Sequence, residues 1–405
     1  MHKYARRMTT MAGTAEVVKG FFDSLADPEI ISLGIGAPAQ EALPVEIVHE
    51  LSNDIFRRSG RGVEALQYGP VTGVRDLREV IVEQLLEPKG IHTTPDHILV
   101  TTGGMETLTL TCELFVDPGD IILVEQPTFV QAVQTFEMFE ARCIGVDMDD
   151  DGVIIEDLEE KIRLHHPKMI YLIPTFQNPS GKTLSTARRK RVAELAAEYD
   201  VLVLEDDPYR DVRYSGEDLP TIRSLDESGN VILCNSFSKI FSAGSRLGYV
   251  VANDDTMAER LKDAKVGLNS QTSQLPQILC AEFFKRGYYP AHHEMICNLY
   301  RERRDVMMEA LAEYFPKGTT FTHPDGGLFT WATVPEGLNT TVLREEAITR
   351  PEVKVNYVAG EKFFTGANPP TNCMRISFGA VPPEKIRIAV QRLGRMFCEE
   401  LEKLS

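Results

Sequence analysis

Short runs of uninterrupted aliphatic residues recur through the middle of the chain, each followed by a stretch of helical period. Ile98–Val100, Ile121–Val124, Met169–Ile173, Val201–Leu204 and Val231–Leu233 carry no charged residue and no polar alternation. A strand of this kind is buried on both faces, the condition of a parallel sheet covered by helices. Between the runs lie Met105–Phe115, Phe129–Phe139, Leu158–Leu164 and Thr186–Tyr199, the last opening after Ser185, a residue suited to an N-cap. The alternation predicts an α/β fold: a doubly wound, mostly parallel sheet with helices on both faces. Gly248–Ala252 follows its predecessor closely and is expected as an extra, antiparallel strand.

Near residue 290 the one-for-one alternation stops. A helical stretch, His292–Tyr314, leads into Gly326–Trp331, Val353–Tyr357, Arg375–Phe378 and a closing amphipathic helix, Pro383–Leu404. The pattern predicts a large domain over 45–290 and a smaller α+β domain over 291–405. Residues 1–44 read as helix, strand at Ile30–Leu33 and Gly/Pro loop, too few to fold alone and expected to pack on the small domain. Phe21, Phe22 and Leu25 share a helical face, as core or as an apolar lid.

The net charge of −17 over 405 residues repels phosphate backbones and anionic lipid, so neither nucleic acid nor a membrane is an expected partner. No apolar stretch is long enough to cross a bilayer or to follow the basic N-terminus as a secretory signal. Seven scattered cysteines without a CxxC pair fit neither a disulfide framework nor a metal ribbon, and a reduced, cytoplasmic setting is expected.

In a doubly wound sheet, ligands sit beyond the carboxyl ends of the strands. After Ile98–Val100 comes Thr101-Thr102-Gly103-Gly104-Met105-Glu106, a turn opening a helix, where free N–H groups suit a phosphate. Neither GxGxxG nor GxxxxGK[ST] is present, which disfavours a nicotinamide dehydrogenase or a P-loop enzyme. After Met169–Ile173 comes Asn178-Pro179-Ser180-Gly181, a turn by composition at a strand end. Val201–Leu204 runs into Glu205-Asp206-Asp207-Pro208-Tyr209, and strand alternation sets Asp206 on the face opposite its two acidic neighbours. A lone carboxylate inside an apolar sheet needs a cationic partner. After Val231–Leu233 comes Ser236-Phe237-Ser238-Lys239, with Arg246 seven residues on. Burial and a neighbouring cation make a lysine amine nucleophilic near neutral pH. An amine and an acid at neighbouring strand ends make sense together around a cationic heteroaromatic ring.

SFSKIFSAGSRLGY, with NPSG and EDDPY upstream, resembles the fold-type-I pyridoxal-phosphate enzymes of the class I and II aminotransferases, nearest the branch of 2-aminoadipate and aromatic aminotransferases. The resemblance runs from residue 32 to residue 379 and implies pyridoxal 5'-phosphate as cofactor. It implies Lys239 as the Schiff-base lysine and proton shuttle, and Asp206 as the partner of the pyridine nitrogen. Tyr209 and Asn178 are implied at the phenolic oxygen, and Gly104, Met105, Ser236, Ser238 and Arg246 at the phosphate. Phe129 would stack on the ring, and Tyr68 would reach the cofactor of a partner subunit in a homodimer. Arg375 would bind the substrate α-carboxylate, with Gly36 and Asn178 beside it. No metal site is implied. Read from residue type alone, Arg375 also fits an ion pair, and Tyr68 and Phe129 also fit core aromatics. The implied reaction moves an amino group from an L-amino acid to a 2-oxo acid, such as 2-oxoglutarate, by a ping-pong scheme. A C–S β-lyase on the same scaffold shares the first step. A non-catalytic effector-sensing module of this fold is disfavoured by the acidic charge.

Overall fold

The computed structural model describes residues 4, 5, 7, 8 and 27–404. Phe21, Phe22 and Leu25 lie outside them.

An eight-stranded sheet forms the centre, in the spatial order Ile98–Thr101, Gly248–Val251, Val231–Ser236, Leu202–Asp206, Met169–Leu172, Ile121–Gln126, Arg142–Asp149, Gly152–Val153. The strands from 231, 202, 169, 121 and 142 run parallel, and Gly248–Val251 is antiparallel to both of its neighbours. The expected strands are thus present, Gly248–Val251 reversed as anticipated. The strands at 98, 169 and 231 are buried at every residue. Helices Gly104–Phe115, Val130–Met138, Ile155–His165 and Thr186–Glu198 fill the connections. Ser185 occupies the N-cap position of the last, yet its side chain makes no capping hydrogen bond.

Arg142–Asp149 is a strand that uniform apolarity did not flag. It borders the two-residue strand Gly152–Val153 near the sheet edge, and its residues are mostly half-buried or exposed, so mixed polarity is tolerated there.

The C-terminal part holds an antiparallel four-stranded sheet in the order Thr320–Phe321, Phe329–Thr333, Cys373–Ser377, Val358–Ala359. The stretch expected as one strand at 353–357 divides into Val355–Asn356 and Val358–Ala359. Ile31–Ser32 pairs in parallel with Val355–Asn356 in a separate two-stranded sheet, which ties this N-terminal segment to the C-terminal part. The closing helix spans Pro383–Leu404 as its period predicted, burying Ile386, Ala389, Val390, Leu393, Met396 and Phe397. Each of the larger side chains contributes about 1.5–3 kcal/mol, and one aspartate at Leu393 would remove the stripe's centre.

Candidate active site

Three adjacent strand ends, the N-terminal segment around Gly34 and Gly36, and the C-terminal strands Phe329–Thr333 and Cys373–Ser377 converge at the carboxyl edge of the central sheet. Asp206 closes its strand with Cys234 opposite in register. Its carboxylate accepts from the Tyr171 hydroxyl at 2.7 Å and from Cys234 Sγ at 3.6 Å. Both donors are neutral, and burial raises the Asp206 carboxyl to about 6 while the Tyr171 and Cys234 hydrogen bonds oppose the rise. The neighbouring acids face away, as alternation requires. Glu205 accepts from the N–H groups of Ile222 and Arg223 at 2.9 and 2.8 Å. Asp207 lies 3.6 Å from Arg210.

Lys239 lies in the short helical segment Ser238–Ser242, directly after the strand Val231–Ser236. Its Nζ donates to the Gly36 carbonyl at 2.7 Å and lies 5.8 Å from the centre of the Tyr209 ring. Burial lowers the amine to about 8, and the positive charges of Arg375 and Arg246 add to that. Deprotonation is therefore within reach near neutral pH.

Arg375 is 5% exposed, which removes the surface ion-pair alternative. It donates to Asn178 Oδ1 at 2.8 Å and to the Gly34 carbonyl at 2.6 Å. Its guanidinium lies over Phe329 at 4.4 Å and Phe363 at 5.2 Å. Burial lowers it to about 10. Tyr209 hydrogen-bonds with Asn178, and burial drives its hydroxyl well above the ordinary range, opposed by the charge of Arg375. Lys239, Tyr209, Asn178, Arg375 and Gly36 thus form one connected set.

A second set gathers around the start of the helix Gly104–Phe115. Ser236 Oγ donates to Ser238 Oγ at 2.8 Å. Gly103 precedes that helix with φ +75°, a conformation that favours glycine, and a Cβ there would meet Arg246 Nη2 at 2.6 Å. Arg246 itself is exposed. Gly104 and Met105 are half-buried at the helix start, where the first N–H groups lack intrahelical partners, and Arg246 lies against Gly103 just before them. Phe129 is half-buried at the N-cap of Val130–Met138, beyond the carboxyl end of Ile121–Gln126. Tyr68 is 88% exposed, which removes the core alternative within the single chain.

Sequence reasoning did not single out Tyr171, Phe329, Phe363 or Glu125. Burial raises the Glu125 carboxyl to about 8, opposed by hydrogen bonds from the Ile173 N–H and Gln177. Tyr171 left a signal: a hydroxyl in an otherwise aliphatic buried strand must find a partner, and Asp206 sits on the same sheet face. Among the described residues no group of histidines, cysteines and carboxylates could hold a metal ion.

The family model for aminotransferase class I and II matches residues 28–393. The chain is 39% identical to aromatic-amino-acid aminotransferase 1 of Thermococcus litoralis, over 93% of this chain and 89% of that one. It also resembles two solved structures: Pyrococcus horikoshii kynurenine aminotransferase (35% identity, 98% and 97% of the two chains, TM-score 0.91) and the alpha-aminoadipate aminotransferase of Thermus thermophilus (31%, 98% and 98%, TM-score 0.89). The chain therefore belongs to the class I and II aminotransferases, with the type I fold. It is an enzyme of transamination, and its cofactor is pyridoxal phosphate. The residues present fit that group. Asp206 is a buried carboxylate whose donors are neutral, suited to a protonated ring nitrogen, and Lys239 offers a weakly basic amine on the adjacent strand's carboxyl side.

Proposed function

We propose that the enzyme takes the amino group from an L-amino acid and passes it to a 2-oxo acid, with 2-oxoglutarate as acceptor, in a ping-pong cycle at the Lys239 site. One observation carries this reading. Half-buried Lys239 and buried Arg375, two cations, donate to the carbonyls of Gly36 and Gly34, two residues apart. An α-amino acid presents its amine and carboxylate at such close range, so one molecule can engage both cations' positions.

Bound here, pyridoxal phosphate supplies a carbonyl for the substrate amine and a ring that takes up the electron pair released at the α-carbon. Arg375 binds the α-carboxylate as a two-pronged donor, with Asn178 and the Gly36 backbone fixing its orientation. Lys239 Nζ, once free, carries the proton off the α-carbon; an amine near 8 exchanges protons readily at neutral pH. Asp206 would hold a proton on the ring nitrogen. Tyr209 and Asn178 would hydrogen-bond the ring oxygen, and Phe129 would pack on the ring. Gly104, Met105, Ser236, Ser238 and Arg246 would hold the phosphate.

The same reading includes a homodimer in which Tyr68 reaches the partner's cofactor. Its support is the exposed apolar group of Val63, Leu66 and Tyr68, at 84, 76 and 88%, on and beside the helix Gly62–Leu66. It includes a large domain over 45–290 and a small one over 291–405, with residues 1–44 on the latter; the Ile31–Ser32 pairing supports that placement. It also includes a cytoplasmic location, supported by seven unpaired cysteines. No helix of the described residues is long and apolar enough to cross a membrane.

The test is the visible absorbance of the purified holoenzyme. Adding a donor L-amino acid shifts the band to the near-ultraviolet, and 2-oxoglutarate restores it. A band that recovers without oxo acid while ammonia accumulates would replace transamination from that donor with β-elimination.

A further inference from the structure

Glu106 is an awkward residue for an anion-binding helix. It stands at the third position of Gly104–Phe115, in the first turn, where the free N–H groups and the helix dipole favour a negative ligand. Its own charge competes with such a ligand. Yet it is 7% exposed and directed back at the turn, accepting from the N–H of Thr102 with one oxygen. The other oxygen accepts from Lys265 Nζ at 2.8 Å and from Asn269 Nδ2 at 2.7 Å. Lys265 belongs to the separate helix Asp255–Leu268, is 0% exposed, and also donates to Asn269 Oδ1 at 3.2 Å. A second tie joins the turn to the stretch after that helix, the Thr102 and Thr272 hydroxyls at 3.4 Å.

A lysine withdrawn fully from water needs a reason, because replacing a buried pair with apolar groups is often neutral or stabilising. The geometry supplies one. The carboxylate fixes the turn from behind while Arg246 lies against Gly103 from in front. The ammonium cancels the charge the carboxylate brings.

We propose that Glu106 and Lys265 are paired positioning residues for the phosphate: Glu106 holds the Thr101–Met105 turn in its receptive shape, and Lys265 keeps that turn free of net negative charge. The proposal rests on the assignment of Gly104 and Met105 to the phosphate. It predicts that the pair sets how strongly the apoenzyme prefers pyridoxal phosphate over pyridoxal, which has the same ring and no phosphate.

The experiment titrates apoenzyme with each compound, following the quenching of Trp331, the chain's one tryptophan. Lys265→Met leaves Glu106 uncompensated, and the preference falls on the order of tenfold while pyridoxal binding changes less than about twofold. Glu106→Gln, whose amide oxygen still accepts from Thr102, leaves the preference equal to or above that of the unsubstituted enzyme. The double variant, with neither charge, returns to within about threefold of it. If Lys265→Met does not fold, the double variant decides alone: a preference reduced tenfold there overturns the proposal. Equal weakening of both compounds by Lys265→Met also overturns it, because the pair would then act on the fold rather than the phosphate. Gly104→Pro separates the two levels, since it deletes one N–H at a helix position that tolerates proline. If Gly104→Pro lowers the preference and Lys265→Met does not, the pair's role fails and the phosphate site stands. If Gly104→Pro leaves the preference intact, the phosphate assignment itself is wrong.

Discussion

Replacing Tyr171 by phenylalanine deletes one hydroxyl from the buried face that carries Asp206. That hydroxyl donates to the carboxylate at 2.7 Å, and the other donor, Cys234 Sγ, is a weak one at 3.6 Å. A hydrogen bond to a charged group contributes about 1.5–3 kcal/mol, and 1.36 kcal/mol corresponds to one pKa unit. Its loss therefore lifts Asp206 by about 1–2 units from its starting value near 6. Taking the middle of that range, the ionised fraction at pH 7 drops from about nine-tenths to about one quarter. In the role proposed for Asp206, only the ionised carboxylate would stabilise a proton on the ring nitrogen. Apo Tyr171→Phe is thus expected to bind pyridoxal phosphate about fourfold more weakly at pH 7 and about fifteenfold more weakly at pH 6. Above pH 9 the two affinities converge. The assay is a cofactor titration across pH, with the stability of each apoenzyme checked in parallel. A curve that does not move along the pH axis, or a loss that is uniform across it, refutes the reasoning.

Other consequences are equally open to measurement. The Asp206 carboxyl sits near 6 in the fold against an ordinary 3.8, so its proton is held more tightly folded than unfolded. Its contribution to apoenzyme stability is complete below about pH 4 and is lost as pH rises through about 6, about 3 kcal/mol in all; urea titrations of Asp206→Asn should lack that slope, and an unchanged slope would contradict it. A Cβ on Gly326 would lie 2.0 Å from Phe176 Cε2, two residues before Asn178. Gly326→Ala should therefore lower the melting temperature by several degrees and raise KM for the amino acid, since overpacking costs about 1–3 kcal/mol; an unaltered melting temperature would show that the ring moves freely. Val63→Glu with Leu66→Glu should yield monomers in sedimentation and lose activity at low protein concentration; intact dimers would place the subunit contact elsewhere.

What the sequence disclosed follows from how locally each feature is encoded. Aliphatic runs specify strands buried on both faces, and the motif segments at their carboxyl ends needed only strand order to become a site. Asp206 was separable from Glu205 and Asp207 because a strand alternates strictly, and the hydrogen bonds of Glu205 to Ile222 and Arg223 lie on that opposite face. Contacts that depend on distant segments were less legible. Lys239 and Gly36 are 203 positions apart, as are Val74 and Gln277, and no local pattern pairs them. Phe329 and Phe363 enter the site only because a strand of the C-terminal sheet and the short helix Gly360–Phe363 deliver them to Arg375. Arg142–Asp149 escaped notice because a strand near a sheet edge can carry polar residues without penalty.

The reversed strand Gly248–Val251 has a consequence for how the site can vary. The strand before it ends at Ser236, and the reversed strand starts opposite that residue, since Ser236 and Gly248 are register partners, as are Thr101 and Gly248. The intervening residues leave the sheet and rejoin it at the same rim, with no crossover to the far edge. Ser238, Lys239 and Arg246 therefore travel as one cassette, anchored at both ends within about one strand spacing of 4.8 Å. The Lys239 amine and the Arg246 guanidinium, the proposed phosphate cation, share these two anchors, so a shift in either anchor moves both. Exchange of residues 237–247 between members of this family should then carry Lys239 and Arg246 over together, while Asp206 and Tyr171, on the next two strands, stay with the recipient.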